Sequence, residues 1–124
     1  MSDPGIIDLE RIESLRSIGD GNLSGLIEEL TTLFRDTRAE YIGAVEAAIA
    51  AGDAEAVGVA IHTFKASSRS LGALRVVRRC AQIEDAAREG DLDRAEQLLA
   101  DLGPVIGEAI EALFSLAASG ELDG

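Results

Sequence analysis

The sequence predicts an all-α protein: an antiparallel up-down-up-down four-helix bundle with a short additional N-terminal helix, forming a single domain over residues 1–124. Three observations predict it. Apolar residues recur with a 3.6-residue period over long segments, as in amphipathic helices. Apolar residues make up 47% of the chain but aromatics only 3%, so the core must be Leu, Ile, Val and Ala, which favours helix over sheet. The periodic segments meet at tight glycine junctions, and short junctions make sequential helices antiparallel neighbours. A chain of 124 residues suits one such core.

The elements follow in order. Residues 9–17 form a short amphipathic helix, capped by Asp8 and ended near Gly19. It is too short to join the bundle and covers one end of the core. Residues 23–51 carry apolar side chains at 23, 26, 27, 30, 33, 34, 41, 42, 45, 48 and 49, a helical period sustained for about eight turns. Asn22 is its N-cap and Gly52 the left-handed residue that ends it. Asp53 caps the next helix at once, over 54–71. Gly72 closes that segment, and a third helix covers 73–89. The Gly-Asp punctuation returns at Gly90-Asp91 and opens a fourth helix over 92–118. Pro104 within it cannot donate to the carbonyl of Ala100, so a kink or local break at Gly103-Pro104 is expected in one bent helix.

Composition excludes several functions. A net charge of −12 repels phosphate backbones, so nucleic acid is not a partner. No apolar run reaches the length of a membrane span, and the acidic start MSDPGIIDLE is unlike a signal peptide. The lone Cys80 cannot form an internal disulfide, so a reducing cytoplasm is expected. Cys80 shares the apolar face of its helix with Val76, Val77 and Ile83 and reads as a small buried hydrophobe. One histidine cannot build a metal site with only scattered carboxylates around it. There is no glycine-rich phosphate loop and hence no nucleotide site. No cofactor is expected, and one complete bundle argues for a monomer.

The informative stretch is AIHTFKASSRSLGA, residues 60–73. It holds the only histidine, His62, and, one turn on, the only lysine, Lys65, in a chain with ten arginines. At 100° per residue Val57, Ala60, Ile61, Phe64, Ser68 and Leu71 form the core face. His62 falls opposite, beside Gly58, Lys65, Ala66 and Arg69, so its imidazole faces solvent. A mid-helix glycine costs about 1 kcal/mol relative to alanine. Gly58 makes sense if another molecule must approach the backbone closely. Charge points to the same place. Residues 62–88 hold six basic and two acidic residues, the rest of the chain five basic and twenty-one acidic. Such asymmetry steers an anionic group or an acidic partner to one region.

Three readings of His62 stand at this point. Neutral imidazole is a competent nucleophile near pH 7 and can accept a phosphoryl group inside a partner's active site. A lysine at i+3 on the same face can offset the phosphoryl charge as a mobile point charge. Alternatively the chain is a binding adaptor with no chemistry of its own. Or it is a small hydrolase or transferase with His62 as base. That reading needs a deep pocket where a convex helix face is expected. Ser67 and Ser68 lie too near the core side to pair with His62.

His62-Thr63-Phe64-Lys65-Ala66-Ser67-Ser68 followed by Leu71-Gly72-Ala73 resembles the signature of the histidine phosphotransfer (HPt) family. That signature runs histidine, any residue, an apolar residue, lysine, glycine and two serines, with Gly-Ala a few residues on. CAQIEDAAREGD, residues 80–91, extends the resemblance, and the layout matches across 23–118. The resemblance implies that His62 is phosphorylated and that Lys65 offsets the charge. It implies that Ala66 stands where a small residue, usually glycine, lets a partner come close. Glu84 matches a position that can hydrogen-bond the ring nitrogen that stays unphosphorylated, and Arg69 and Arg88 border the docking surface. The implied activity is that of a phosphocarrier without its own ATP site. It takes a phosphoryl group from the phospho-aspartate of one receiver domain, in a hybrid kinase or response regulator, and passes it to another. The receiver brings the magnesium. Alanine for glycine at 66 departs from the pattern by one methyl, with modest expected consequences.

Overall fold

Local side-chain chemistry sets where all but one of the described helices begin. The computed structural model describes residues 5–18 and 20–123. Its helices are α1 (Leu9–Ser14), α2 (Leu23–Ala50), α3 (Ala54–Ser70), α4 (Leu74–Arg88) and α5 (Leu92–Ala118), with a 3₁₀ turn at Glu121–Asp123. Asn22 Oδ1 accepts from the amide of Gly25 at 3.0 Å. Asp53 accepts from Ala56 at 3.1 Å and Asp91 from Arg94 at 3.1 Å. Each bond satisfies an amide that has no partner within its helix. Gly52, Gly72 and Gly90 follow the helix ends with φ of +69°, +68° and +75°, a region glycine enters without Cβ strain.

The start of α4 is made differently. Ala73 stands at its N-cap and offers no side-chain bond. The amide of Leu74 donates to the carbonyl of Ile6 at 3.1 Å, and the amide of Asp8 to the carbonyl of Gly72 at 2.8 Å. An extended N-terminal segment is thereby strapped across the α3–α4 corner through an isolated antiparallel bridge between Ile7 and Ala73. Arg11 Nε reinforces it by donating to the carbonyl of Ser70 at 3.0 Å. A Cβ on Gly72 would lie 3.0 Å from the carbonyl oxygen of Asp8, so both φ and proximity require glycine there.

The bundle closes as a ring: α2 packs on α3 and α5, and α4 packs on the same two helices. Buried aliphatic residues fill it, with one aromatic group where Phe34 and Phe64 stack at 5.3 Å and Tyr41 tilts against Phe64 at 5.4 Å. The two buried hydroxyls, Thr31 and Ser68, donate to carbonyls one turn back at 2.6 and 2.8 Å. Cys80 is fully buried, and burial pushes its thiol up to about 12, so it acts as an apolar filler.

Four details differ from the sequence reading. The first helix was expected to run to 17 but ends at Ser14. The chain then tightens into three-residue bonds, Leu15 to Ile12, Arg16 to Glu13 and Ile18 to Leu15, as it turns towards α2. Gly19 lies outside the described residues. Of the kink or local break expected at Gly103-Pro104 in one bent helix, the break does not occur, and α5 is one helix through Pro104 as read. Ala100 is exposed, so water can take the carbonyl bond that proline forfeits. Leu33, counted with the apolar stripe of α2, is 59% exposed at its edge. Val77 is half-buried rather than a core residue.

Candidate functional site

The antiparallel register of α3 and α4 brings residue 62 level with residue 84. His62 stands mid-helix on the outer face of α3 with its side chain 66% exposed, and Glu84 reaches it from α4 with a side chain only 13% exposed. His62 Nδ1 lies 2.8 Å from Glu84 Oε2. The other carboxylate oxygen, Oε1, forms an ion pair with Lys65 Nζ. One carboxylate thus holds the only imidazole and the only lysine of the chain.

This geometry fixes which ring nitrogen faces Glu84. Burial pushes the Glu84 carboxyl up, but hydrogen bonds from Lys65 and His62 outweigh it and hold the group below its ordinary range. An ionised carboxylate can only accept, so Nδ1 carries the hydrogen. In the neutral ring Nε2 then carries the lone pair, and it has no protein partner among the described residues. A neutral imidazole with Nε2 turned to solvent is a nucleophile presented outward.

Lys65 differs from the freely moving cation expected. Its side chain is 16% exposed and tied to Glu84, because α4 places a carboxylate within reach of its stem. Gly58, one turn before His62, is half-buried, and a Cβ there would meet no heavy atom within 4 Å. Ala66, one turn after, is exposed, as is Arg69, whose side chain makes no hydrogen bond or ion pair among the described residues. Arg88 is exposed and pairs with Asp85 at 2.8 Å.

The surface beside His62 is not the purely convex face expected. An open depression of about 600 Å³ runs between α3 and α4, floored by Ala54, Gly58 and Ala87 and edged by His62, Glu84 and Arg88. It gathers Gly58, His62, Glu84 and Arg88; Lys65, Ala66 and Arg69 lie outside its lining. Val59 also lines it and is 64% exposed. Sequence reasoning passed over Val59, although an apolar residue off the core stripe and next to a bare glycine was a readable signal. Among the described residues no group of three or more His, Cys, Asp or Glu could hold a metal ion, and no helix is long and apolar enough to cross a membrane.

A helical bundle that offers one exposed, carboxylate-oriented histidine defines a carrier class more readily than an enzyme with a pocket. Residues 29–117 match the Hpt domain, and the chain belongs to that family. It is a histidine phosphotransfer protein of phosphorelay signalling, a phosphocarrier rather than an enzyme. Among solved structures it is similar to the crystal structure of histidine-containing phosphotransfer protein B (HptB) from Pseudomonas aeruginosa PAO1. The TM-score is 0.75 at 23% identity, over 94% of this chain and 98% of that one. At that identity the likeness bears on the fold. No curated protein matches the chain.

Proposed function

We propose that His62 is the phosphoacceptor, with Nε2 as the attacking atom. The observation that carries this reading is the 2.8 Å bond from Nδ1 to Glu84 under an exposed ring. The Nε2 lone pair attacks the phosphorus of an aspartyl phosphate on a receiver domain. A nitrogen–phosphorus bond forms as the phosphorus–oxygen bond breaks, and its electron pair returns to the aspartate carboxylate. The ring gains positive charge in this step, and Glu84 stabilises it through Nδ1–H, so Glu84 is a positioning residue. Reversal onto a second receiver completes the relay.

The receiver supplies the magnesium and the groups around its aspartate, and this chain contributes no ATP site. Lys65 offsets phosphoryl charge, and must shift from Glu84 to do so directly. Gly58 and Ala66 leave room for the receiver, and Arg69 and Arg88 border the docking area. The protein works as a monomeric single domain in the cytoplasm, where a free Cys80 is chemically at ease. Neither alternative gains support. A hydrolase needs a substrate pocket with oxyanion donors, whereas the depression is open and mainly apolar in floor. An adaptor has no use for an oriented imidazole.

The test is incubation with phosphorylated receiver domains. Label should appear on the wild type as an acid-labile, base-stable phosphoramidate. His62→Gln should take none while melting close to wild type, because the residue is exposed. Acid-labile label persisting on His62→Gln would assign the acceptor elsewhere.

A further inference from the structure

The depression beside His62 reaches well past the ring. Ala54, which lines its far end, stands eight residues before His62, about 12 Å along the axis of α3. The floor is bare because Ala54, Gly58 and Ala87 carry a methyl group or less. Among the described residues, the large apolar side chains that are more than half exposed are Leu9, Ile18, Leu33 and Val59. Of these, Val59 lines the depression that holds His62.

The polar groups around this space are mostly engaged. The two oxygens of Glu84 are held by Lys65 and by His62 Nδ1. Thr63 Oγ1 donates to the carbonyl of Val59 at 3.2 Å, and Arg88 pairs with Asp85 at 2.8 Å. Nε2 of His62 and the carboxylate of Glu55 are left without a protein partner among the described residues, one at each end of the depression. Whatever fills the space between them is recognised by shape and apolar contact rather than by hydrogen bonds.

Area says what covers it. A standard interface takes about 800 Å² from each partner, a round patch of about 16 Å radius. A receiver centred on Nε2 therefore spreads over the whole depression. Left unfilled, the apolar floor would stay wet beneath the interface and forfeit its burial. We infer that the depression is a socket for one apolar side chain of the receiver, seated over Gly58 between Val59 and Ala87. The inference rests on a receiver as the partner, and it adds the chemistry of the contact and the side of α3, towards α4, on which it falls. Seated there, the side chain also shuts water out from one flank of the imidazole, where a transferring phosphoryl group would otherwise be open to hydrolysis. Leu33 of α2 lines a separate groove with Ser67 and Ser70, which does not include His62, so it supplies the control.

The test is methyl NMR of the full chain, titrated with a panel of isolated receiver domains in the presence of magnesium. The receiver that binds should shift the methyl resonances of Ala54, Val59 and Ala87, with intermolecular NOEs from Val59 to an aliphatic or aromatic side chain. Val59→Ser should weaken its binding by about fivefold to tenfold, and Val59→Ile should retain it. Leu33→Ser should bind as wild type. Both positions are exposed, so the variants should fold. The socket is overturned if no receiver binds, if the shifts centre on Leu33 and Ser70, if Val59 meets a charged side chain, or if Val59→Ser binds undiminished. The acceptor assignment fails differently: a receiver seated on Val59 with no label on His62 would refute that assignment and leave the socket standing.

Discussion

Enlarging Gly58 should separate stability from function. The residue sits one turn before His62, about 6 Å along the helix axis, and a Cβ there meets nothing within 4 Å. Glutamine at this position removes a mid-helix glycine and strains no neighbour. By helix propensity the gain is about 0.6 kcal/mol. Unfolding entropy near 2.1 cal/mol/K per residue over 124 residues totals about 0.26 kcal/mol/K. The melting midpoint should therefore rise by about 2 °C. Transfer should move the other way. Reacting atoms must approach to roughly 3–3.5 Å, and a displacement of about 1 Å can cost on the order of a hundredfold. A glutamine side chain fills the floor of the depression on which the receiver must settle. Thermal melting and single-turnover transfer from a phosphorylated receiver measure both effects, for Gly58→Gln and for Ala66→Gln on the other side of the ring. Transfer at the wild-type rate in both variants would refute the close-approach argument and leave Gly58 as drift on a solvated face.

Lys65→Ala should slow transfer by about tenfold and, because Lys65 is paired rather than free, also cost about 1–2 kcal/mol in a urea melt. Lys65→Arg should restore only part of the rate, since a planar fork cannot reproduce the ammonium contact, and full rescue would make charge alone sufficient. The Glu84 carboxyl is lowered below its reference of 4.5 in the folded state, so its contribution to stability is present above that pH and is lost as pH falls through the lower folded value. Glu84→Gln should therefore flatten the acid limb of stability below about pH 4.5, and urea midpoints across that limb that match wild type would contradict the assignment. Gly72→Ala should destabilise by about 1–2 kcal/mol from the left-handed φ alone, or about 4–8 °C, while phosphotransfer in the cold persists.

The parts of this protein that were legible in the sequence are those decided within one turn of helix. Asn22, Asp53 and Asp91 cap amides three residues away, so their roles follow from spacing alone. The exposure of His62 follows from the period of its own helix. Contacts set by the register between helices were not legible from local pattern, and the bond between His62 and Glu84 was expected only from the family resemblance. Lys65 and Glu84 are nineteen positions apart, and nothing local to either shows that the carboxylate would be shared. The strap from Ile6 to Leu74 is a backbone bond and leaves no side-chain signature. Gly72 was readable as a helix end, but its second reason, the Asp8 carbonyl against its Cα, appears only when the chain is folded.

Glu84 also explains why a single carboxylate suffices at this site and why its partners are one histidine and one lysine. At rest the Lys65 and Glu84 charges cancel, and the bond from His62 costs no second ion. Burial of the carboxylate would otherwise favour its neutral form. Lysine keeps it ionised, and only the ionised form obliges Nδ1 to hold its proton. Lys65 is thus linked to the imidazole through Glu84. On the proposed assignment, a phosphoryl group on Nε2 would stand one turn from the same lysine and compete with the carboxylate for it. Each oxygen that gains Lys65 does so at the expense of Glu84, whose remaining hold is the now more acidic Nδ1–H. On that assignment the two demands on Lys65 would oppose each other, and the phosphorylated state would not become a sink. A carrier must release its cargo as readily as it accepts it, and a shared cation produces that balance with three side chains.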